Sequence, residues 1–518
     1  MALTKILWVD DEIESLQSQK LFLESKGYEV HTVTNGFDAI DYVKEYAVDV
    51  VLMDETMPGI TGLETLAKIK EVSKQIPIVL ITKNETENLM DDAIGSQISD
   101  YLIKPVNPNQ VLLSLKKILD NKRLVAEKTT TAYQQQFRNL FMALNSSPDY
   151  NEWMDIYKKL VYWELEMEKS DSPEMQEVLQ SQKSEANTEF FKFVSRNYAS
   201  WVKSKSVDGP VMSHTLMQFK VLPHLEKGTP LFFILIDNLR FDQWKAIQPI
   251  FAESFRILEE DSFYSILPTA TQYCRNAIFS GMLPVDIEKN FQVEWKNDDE
   301  QGGKNLHEEE FFRAQLKRLG KNDLKVSYTK VVNNQAGLDL VNNIHNLMNN
   351  DLNVIVYNFV DMLSHARTEM EVLKELASDE ISYRSITRSW FEHSPLHQAL
   401  KKIAGKNFKI VLATDHGSVK VKTPYKVVGD KQTTANLRYK HGRNLNYEPK
   451  EVLAFRDPRE AGLPVPTINS SFIFAKCDGF LCYPNNYNYY VNYYRNTFQH
   501  GGVSLEEMIV PVIKMVSK

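Results

Sequence analysis

VDVVLMDETMPGITG, residues 48–62, runs from a stretch of β-branched and apolar side chains (48–53) into Asp54 and then a Pro58-Gly59 turn. A run of this kind closed by turn residues reads as a strand. Four more such runs lie in the first 120 residues, at 6–9, 29–33, 76–81 and 101–103, with amphipathic stretches between them. Strands alternating with helices are the pattern of a parallel, doubly wound α/β sheet, in which ligands gather at the carboxyl ends of the strands. Asp10 and Asp11 follow the first run, Asp54 follows the third, Thr82 ends the next, and Lys104-Pro105 follows the last.

Three carboxylates brought to one point repel each other unless a divalent cation sits among them, and a hard, oxygen-ligated ion such as Mg²⁺ is the usual choice. On this reading Asp10, Asp11 and Asp54 surround Mg²⁺ and the Thr56 carbonyl adds a ligand. Asp54 is the phosphorylation site, its carboxylate taking a phosphoryl group as an acyl phosphate. Lys104 pairs with a phosphoryl oxygen. The Thr82 hydroxyl swings toward the new group, and Tyr101 turns into the space vacated, with half-buried packing as the alternative for that ring. In order and spacing VDDE (9–12), MDETMPGITG (53–62), Thr82 and DYLIKPV (100–106) resemble the receiver domain of response regulators. The resemblance implies a CheY-like domain over residues 1–122 and a cis Lys104–Pro105 bond.

Residues 123–204 are rich in Gln, Glu, Lys, Leu and Trp, with almost no Gly and with Pro148 and Pro173 as breakers, so a helical middle module is expected there. From 205 to 518 strand runs return at 231–236, 354–359, 410–413, 472–474 and 508–515, the signature of a second α/β domain. Its acidic and imidazole residues again stand at strand ends. LFFILIDNLR places Asp237 after a buried run, VIVYNFVDMLSHAR places Asp361 after another with His365 four residues on, IVLATDHGS gives Asp415-His416, and FQHGGVSLEEMIVP gives His500. Asp and His ligands without Cys suit zinc or manganese. Their number suggests two ions in the C-terminal domain, the arrangement that stabilises both attacking and leaving oxygens in phosphoryl displacement. ILPTATQYCRNAIFSG (266–281) supplies the nucleophile. A threonine alcohol is weak at neutral pH, and coordination to a metal activates it. Thr271 is the choice and Thr269 the alternative.

The DNLR, PTAT, TTANLRYKHGRN (433–444) and HGGVSLEEMIVP motifs resemble the PglZ branch of the alkaline phosphatase superfamily. That resemblance implies one metal held by Asp361, His365 and His500 and another by Asp237, Asp415, His416 and Thr271. Arg438, Lys440, His441 and Arg443 are expected to be solvated or anion-contacting and form the obvious basic patch for a phosphate backbone. His393 and His397 are assigned to the surface. A receiver joined to a PglZ domain through a helical segment is similar to the PorX-type response regulators of the type IX secretion system. It implies a sensor histidine kinase of the PorY type as phosphodonor, and an extracytoplasmic-function sigma factor and secretion components as partners.

A threonine nucleophile with two metals, lacking the Ser and third magnesium site of the superfamily's monoesterases, points to phosphodiester hydrolysis on nucleotides or oligonucleotides. The course would be in-line attack, a phosphothreonine intermediate, then its hydrolysis. Cys274-Arg275 lacks the Pro spacing of a sulfatase. The other class of reading is a metal-binding protein-interaction output that contacts a sigma factor or the secretion machinery without turnover, with Asp54 phosphorylation driving a homodimer. A DNA-binding regulator is disfavoured: 60 Lys+Arg stand against 68 Asp+Glu for a net charge of −8, and 123–204 carries no compact basic recognition helix. The three cysteines, Cys274, Cys477 and Cys482, form no CxxC pair and fit a reducing, cytoplasmic compartment. No apolar run approaches the ~18 residues of a membrane span.

Overall fold

The computed structural model describes residues 3–73, 76–83, 98–169, 173–203, 209–298, 300–361, 379–430 and 433–518, with 120–130 and 173 described in backbone only. Two compact units emerge, Met1–Ala132 and Tyr133–Lys518. No described helix is long and apolar enough to cross a membrane.

In the first unit β1 (Thr4–Val9), β2 (Tyr28–Val33), β3 (Val50–Asp54), β4 (Ile78–Thr82) and β5 (Asp100–Ile103) form one sheet in the order β2-β1-β3-β4-β5. Every neighbouring pair is parallel. α1 (Gln17–Ser25), α2 (Gly36–Glu45) and α3 (Gly62–Val72) connect the strands. β3 and β4 are buried at every position, which is why they read as continuous apolar runs. Separate apolar clusters cover the two faces, Leu7, Val51 and Leu80 on one and Trp8, Leu52 and Val79 on the other. α3 starts with a capping box: the Thr61 hydroxyl accepts from Glu64 N, and the Glu64 carboxylate accepts from Thr61 N. α4 (Pro108–Asn145) begins in this unit and runs on through residue 122.

α5 (Tyr150–Lys169) and α6 (Pro173–Lys203) complete the helical stretch. Their apolar faces pack on the α/β core of the second unit through Trp153, Phe190 and Tyr264, with Phe190 and Tyr264 rings 6.3 Å apart. A buried ion network joins the same elements. Lys183 reaches Glu164 at 2.9 Å and Glu506 at 3.1 Å, and Arg384 reaches Glu164 at 2.9 Å and Asp242 at 2.8 Å and also pairs with Glu168.

The large sheet of the second unit uses β6 (Leu231–Ile236), β7 (Phe255–Tyr264), β8 (Val326–Val331), β9 (Leu352–Tyr357), β10 (Lys409–Ala413) and the terminal strand Ile509–Ser517. Their order is β7, terminal strand, β10, β6, β9, β8. β10, β6, β9 and β8 run parallel, while the terminal strand is antiparallel to both its neighbours. The central strands fall within two residues of the runs expected from sequence, but 358–359 lie outside β9 and residue 508 closes the short helix Leu505–Met508. β7 and β8, the two edges, are additional. His397 corrects the surface assignment: it is buried on helix Pro395–Ile403, its Nδ1 at 2.8 Å from the Glu392 carbonyl, whereas His393 is exposed.

Candidate functional sites

In the receiver unit the carboxyl ends of β1, β3 and β5 converge. Asp10 and Asp54 are buried, Asp11 is exposed, and one oxygen from each lies within 4.8 Å of the others. Lys104 Nζ donates to Asp10 Oδ2 and to Asp54 Oδ2, each at 2.8 Å. Burial pushes the Asp54 carboxyl up, against the Lys104 ammonium that pulls it down. Lys104–Pro105 is cis. Thr82 is buried at the end of β4, and Tyr101 is 41% exposed, its ring outside the core. Gly62 belongs to this arrangement: a Cβ there would lie 2.4 Å from the Asp54 carbonyl oxygen, so only glycine lets α3 start against the loop that follows Asp54.

In the second unit the parallel strands β6, β10 and β9 deliver their next residues to one place. Asp237 directly follows β6, Asp415-His416 follow β10 by one residue, and Asp361 lies four beyond β9. His365 lies outside the described residues. Two ligand-competent groups form, Asp237 with Asp415 and His416, and Asp361 with His416 and His500, each with its ligand atoms within 4.8 Å. His416 is common to both, where the sequence reading gave it to one. Its ring stacks on His500 with centroids 4.3 Å apart. The Nδ1 of His416 is 3.0 Å from the Gly417 carbonyl and that of His500 is 3.1 Å from the Thr269 carbonyl. Those contacts aim each Nε2 inward, as a carbonyl held by one ring nitrogen of a histidine leaves the other free to bind a metal.

Thr271 opens helix Thr271–Ser280, and its Oγ1 is 3.1 Å from His416 Nε2 and donates to Asp237 Oδ1 at 3.3 Å. Thr269 is fully buried instead, its Oγ1 donating to the Gly502 carbonyl and accepting from Gly501 N, both at 3.0 Å.

The donor set fits divalent cations on observations of its own. Asp415 Oδ2 is buried without a hydrogen bond, 3.7 Å from His416 Nε2, and a buried carboxylate oxygen lacking a hydrogen bond is costly. Burial, then the neighbouring Asp415 charge, pushes Asp237 up to about 7. Asp415 is raised by burial as well. A cation among them removes both penalties.

Sequence reasoning missed the clamp behind Asp237. Arg275, four residues past Thr271, donates from Nη1 to Asp237 Oδ2 at 2.6 Å and to Asn358 Oδ1 at 3.0 Å. Its other side is held by Glu308, at 2.5 Å from Nε, and Glu308 also accepts from Tyr328 and Lys330, each at 2.8 Å. Asp237 is thereby fixed with Oδ1 toward Thr271. The i, i+4 spacing from Thr271 is the signal that was available.

The expected basic patch is a correction. Arg438 is fully buried, with Nε 3.0 Å from Glu507 Oε1 and Nη2 2.5 Å from Oε2. Lys440 is buried too, donating to the Thr434 and Asn436 carbonyls at 3.0 and 2.7 Å, and burial pushes its ammonium down to about 7. His441 is buried with Nε2 3.3 Å from Asp298. Only Arg443 is exposed. Arg438, Lys440 and His441 hold the motif's fold together and present no solvated surface.

Comparison with known families divides the chain into three stretches. The response regulator receiver domain matches residues 6–116, the PorX response regulator linker domain 123–202, and the BREX system PglZ alkaline phosphatase-like domain 216–515. Among curated proteins, the transcriptional regulatory protein ZraR of Klebsiella oxytoca is 34% identical over 132 residues, covering 26% of this chain and 30% of that protein. The phosphoglycerate transport system transcriptional regulatory protein PgtA of Salmonella typhimurium is 30% identical over 154 residues, covering 30% of this chain and 35% of that one. The chain thus spans about a third of the length of these relatives. Among solved structures, a receiver domain protein of Methanospirillum hungatei is 28% identical with a TM-score of 0.23, over 23% of this chain and 96% of that one. CheY4 of Vibrio cholerae is 30% identical with a TM-score of 0.22, over 23% and 99%. With more than half its length matching, and with receiver and linker preceding that match in order, the chain belongs to the PglZ alkaline phosphatase-like family in its PorX-type response regulator form.

Proposed function

We propose that the chain is a phosphorylation-controlled phosphodiesterase. A sensor histidine kinase of the PorY type loads Asp54, and the second unit cleaves phosphodiesters of nucleotides or oligonucleotides at Thr271, in the service of type IX secretion. The observation that carries this is the placement of Thr271 Oγ1 at a helix start, within 3.3 Å of Asp237 and 3.1 Å of His416. The unpaired amides of a helix's first turn favour an anion there, which suits a phosphoryl group drawn up to the hydroxyl. Thr269, two residues away, already spends its hydroxyl on backbone partners, which favours Thr271 as the nucleophile.

Two zinc ions, with manganese as the alternative, would be held by Asp237, Asp415, His416 and Thr271 and by Asp361, His365 and His500; bound there they would supply Lewis acidity and lower the pKa of oxygen nucleophiles. The Thr271 oxygen attacks phosphorus in line, one ester oxygen leaves as an alcohol, and water then splits the threonine ester. Arg275 keeps Asp237 oriented through both steps. In the receiver unit Asp10, Asp11 and Asp54 would hold Mg²⁺, and Lys104 would exchange its two carboxylate contacts for a phosphoryl oxygen.

Hydrolysis of bis(p-nitrophenyl) phosphate beside p-nitrophenyl phosphate, by zinc-loaded wild type and Thr271→Ala, tests the reading. Diester cleavage that disappears in the variant supports it. Two bound metals without turnover of either ester would favour an output that contacts a sigma factor or the secretion machinery.

A further inference from the structure

A cavity of 500 Å³ opens where β8 and β9 end, between the start of helix Asn334–Leu347 and the end of helix Glu380–His393. One wall is aromatic. Phe359 and Trp390 stack with centroids 4.1 Å apart and planes within 3°, and Tyr357 lies 5.4 Å from Trp390. The rim is polar, with Asn333, Asn334 and His393, all exposed.

The segment that lines the cavity also leads to the metal-ligand cluster. Asn358, between two of the lining aromatics, accepts from the same Arg275 nitrogen that donates to Asp237 at 2.6 Å. Asp361 follows Phe359 by two residues, no more than about 7.6 Å of chain. The cavity therefore opens beside the segment that carries Asp361 into the cluster. Aromatic faces with side-chain amides and an imidazole at the edge match a planar heterocycle that carries donors and acceptors on its rim; an alkyl chain would leave those edges idle.

We propose that this cavity is the base subsite of the diesterase, holding a nucleobase against Trp390 with Asn333, Asn334 and His393 at its edge. The proposal rests on the phosphodiesterase reading and names which part of the substrate the protein recognises. Two esters with the same leaving group separate it from that reading: thymidine 5′-(p-nitrophenyl) phosphate carries a base, and methyl p-nitrophenyl phosphate does not. Thymidine 5′-monophosphate binding, measured by calorimetry on the zinc-loaded full chain beside inorganic phosphate, gives a readout without turnover.

Trp390→Ala is expected to raise KM for the thymidine ester and Kd for the monophosphate roughly 5- to 150-fold, the range for loss of one stacked base. The methyl ester's kcat/KM and the phosphate Kd should stay within about twofold. Ser389→Trp, at an exposed helical position on the cavity wall, should block the base in the same way without removing the half-buried Trp390 ring. Equal losses on both esters, or none on either, would overturn the subsite while leaving the diesterase intact. Monophosphate binding that both variants weaken, in a protein that turns over neither ester, would sustain the subsite and overturn the diesterase. A wild type that neither binds the monophosphate nor cleaves either ester overturns both.

Discussion

Thr269 and Thr271 sit two residues apart in one motif, and nothing in the letters separates them; the difference is which hydroxyl the fold has already used. Thr269→Val leaves the Gly501 N–H buried without an acceptor and should cost about 1–3 kcal/mol in denaturant unfolding. The residual folded protein should still cleave the diester. Asp237 gives a pH expectation. In the metal-free chain its carboxyl stands at about 7, above the ordinary 3.8. The stability that its protonated form contributes is fully present below about 3.8 and is lost as pH rises through about 7. A cation must displace that proton, so zinc affinity, measured by chelator competition, should weaken from about pH 8 to about pH 6, with proton release on binding seen by calorimetry in two buffers. An affinity flat across that window would show Asp237 to be ionised before metal arrives. At this scale the candidate ligands that the fold brings together were legible because each is a strand-end Asp or a His in a marked motif. Arg275 and Glu308 were not, because an inward-facing ion pair has no local pattern that distinguishes it from two surface charges.

Strands buried on both faces were read directly, since β3, β4, β6 and β10 are nearly unbroken apolar runs. The edges were missed for the converse reason. β7 carries Glu259, Glu260 and Asp261 on an edge where solvent and cations accept them: Glu260 receives Trp244 Nε1 at 2.9 Å, and Asp261 pairs with Lys220. The helical module was legible as helix from composition, but its attachment to the α/β core was not. Lys183, on α6, stands between Glu164 and Glu506, and neither acid is more than 7% exposed. Removing it leaves the buried Glu506 without its cation and Glu164 with Arg384 alone, so Lys183→Ala should lose about 3–5 kcal/mol in denaturant unfolding of the second unit. An unchanged midpoint would mean that the helices dock by apolar packing alone. Gly62→Ala acts on the other unit: the added methyl meets backbone, and about 1–3 kcal/mol of receiver stability should go, seen as a lowered Tm.

Across the whole molecule, the net charge of −8 argued against a global basic field, while the motif reading placed a local basic patch at Arg438, Lys440, His441 and Arg443. The fold shows why that fails: the PglZ-type segment spends Arg438 and Lys440 on Glu507 and on backbone carbonyls. Domain order was legible because each stretch carries its own repertoire of motifs. What joins a phosphorylated Asp54 to Thr271 is not written in any one stretch. We expect acetyl phosphate with Mg²⁺ to shift the full chain from monomer to dimer in sedimentation velocity, and Asp54→Ala to remain unshifted; a shift that persists in the variant would place the trigger elsewhere.

The claim on which the rest depends is that Thr271 forms a bond to phosphorus. Acid quenching of the zinc-loaded protein during turnover of thymidine 5′-(p-nitrophenyl) phosphate, followed by peptide mapping in a mass spectrometer, reads that bond directly. The expected result is a thymidylyl adduct on the peptide holding Thr271, absent from Thr271→Ala, which also fails to release nitrophenol. Steady turnover by Thr271→Ala, with no adduct in either protein, would contradict the account.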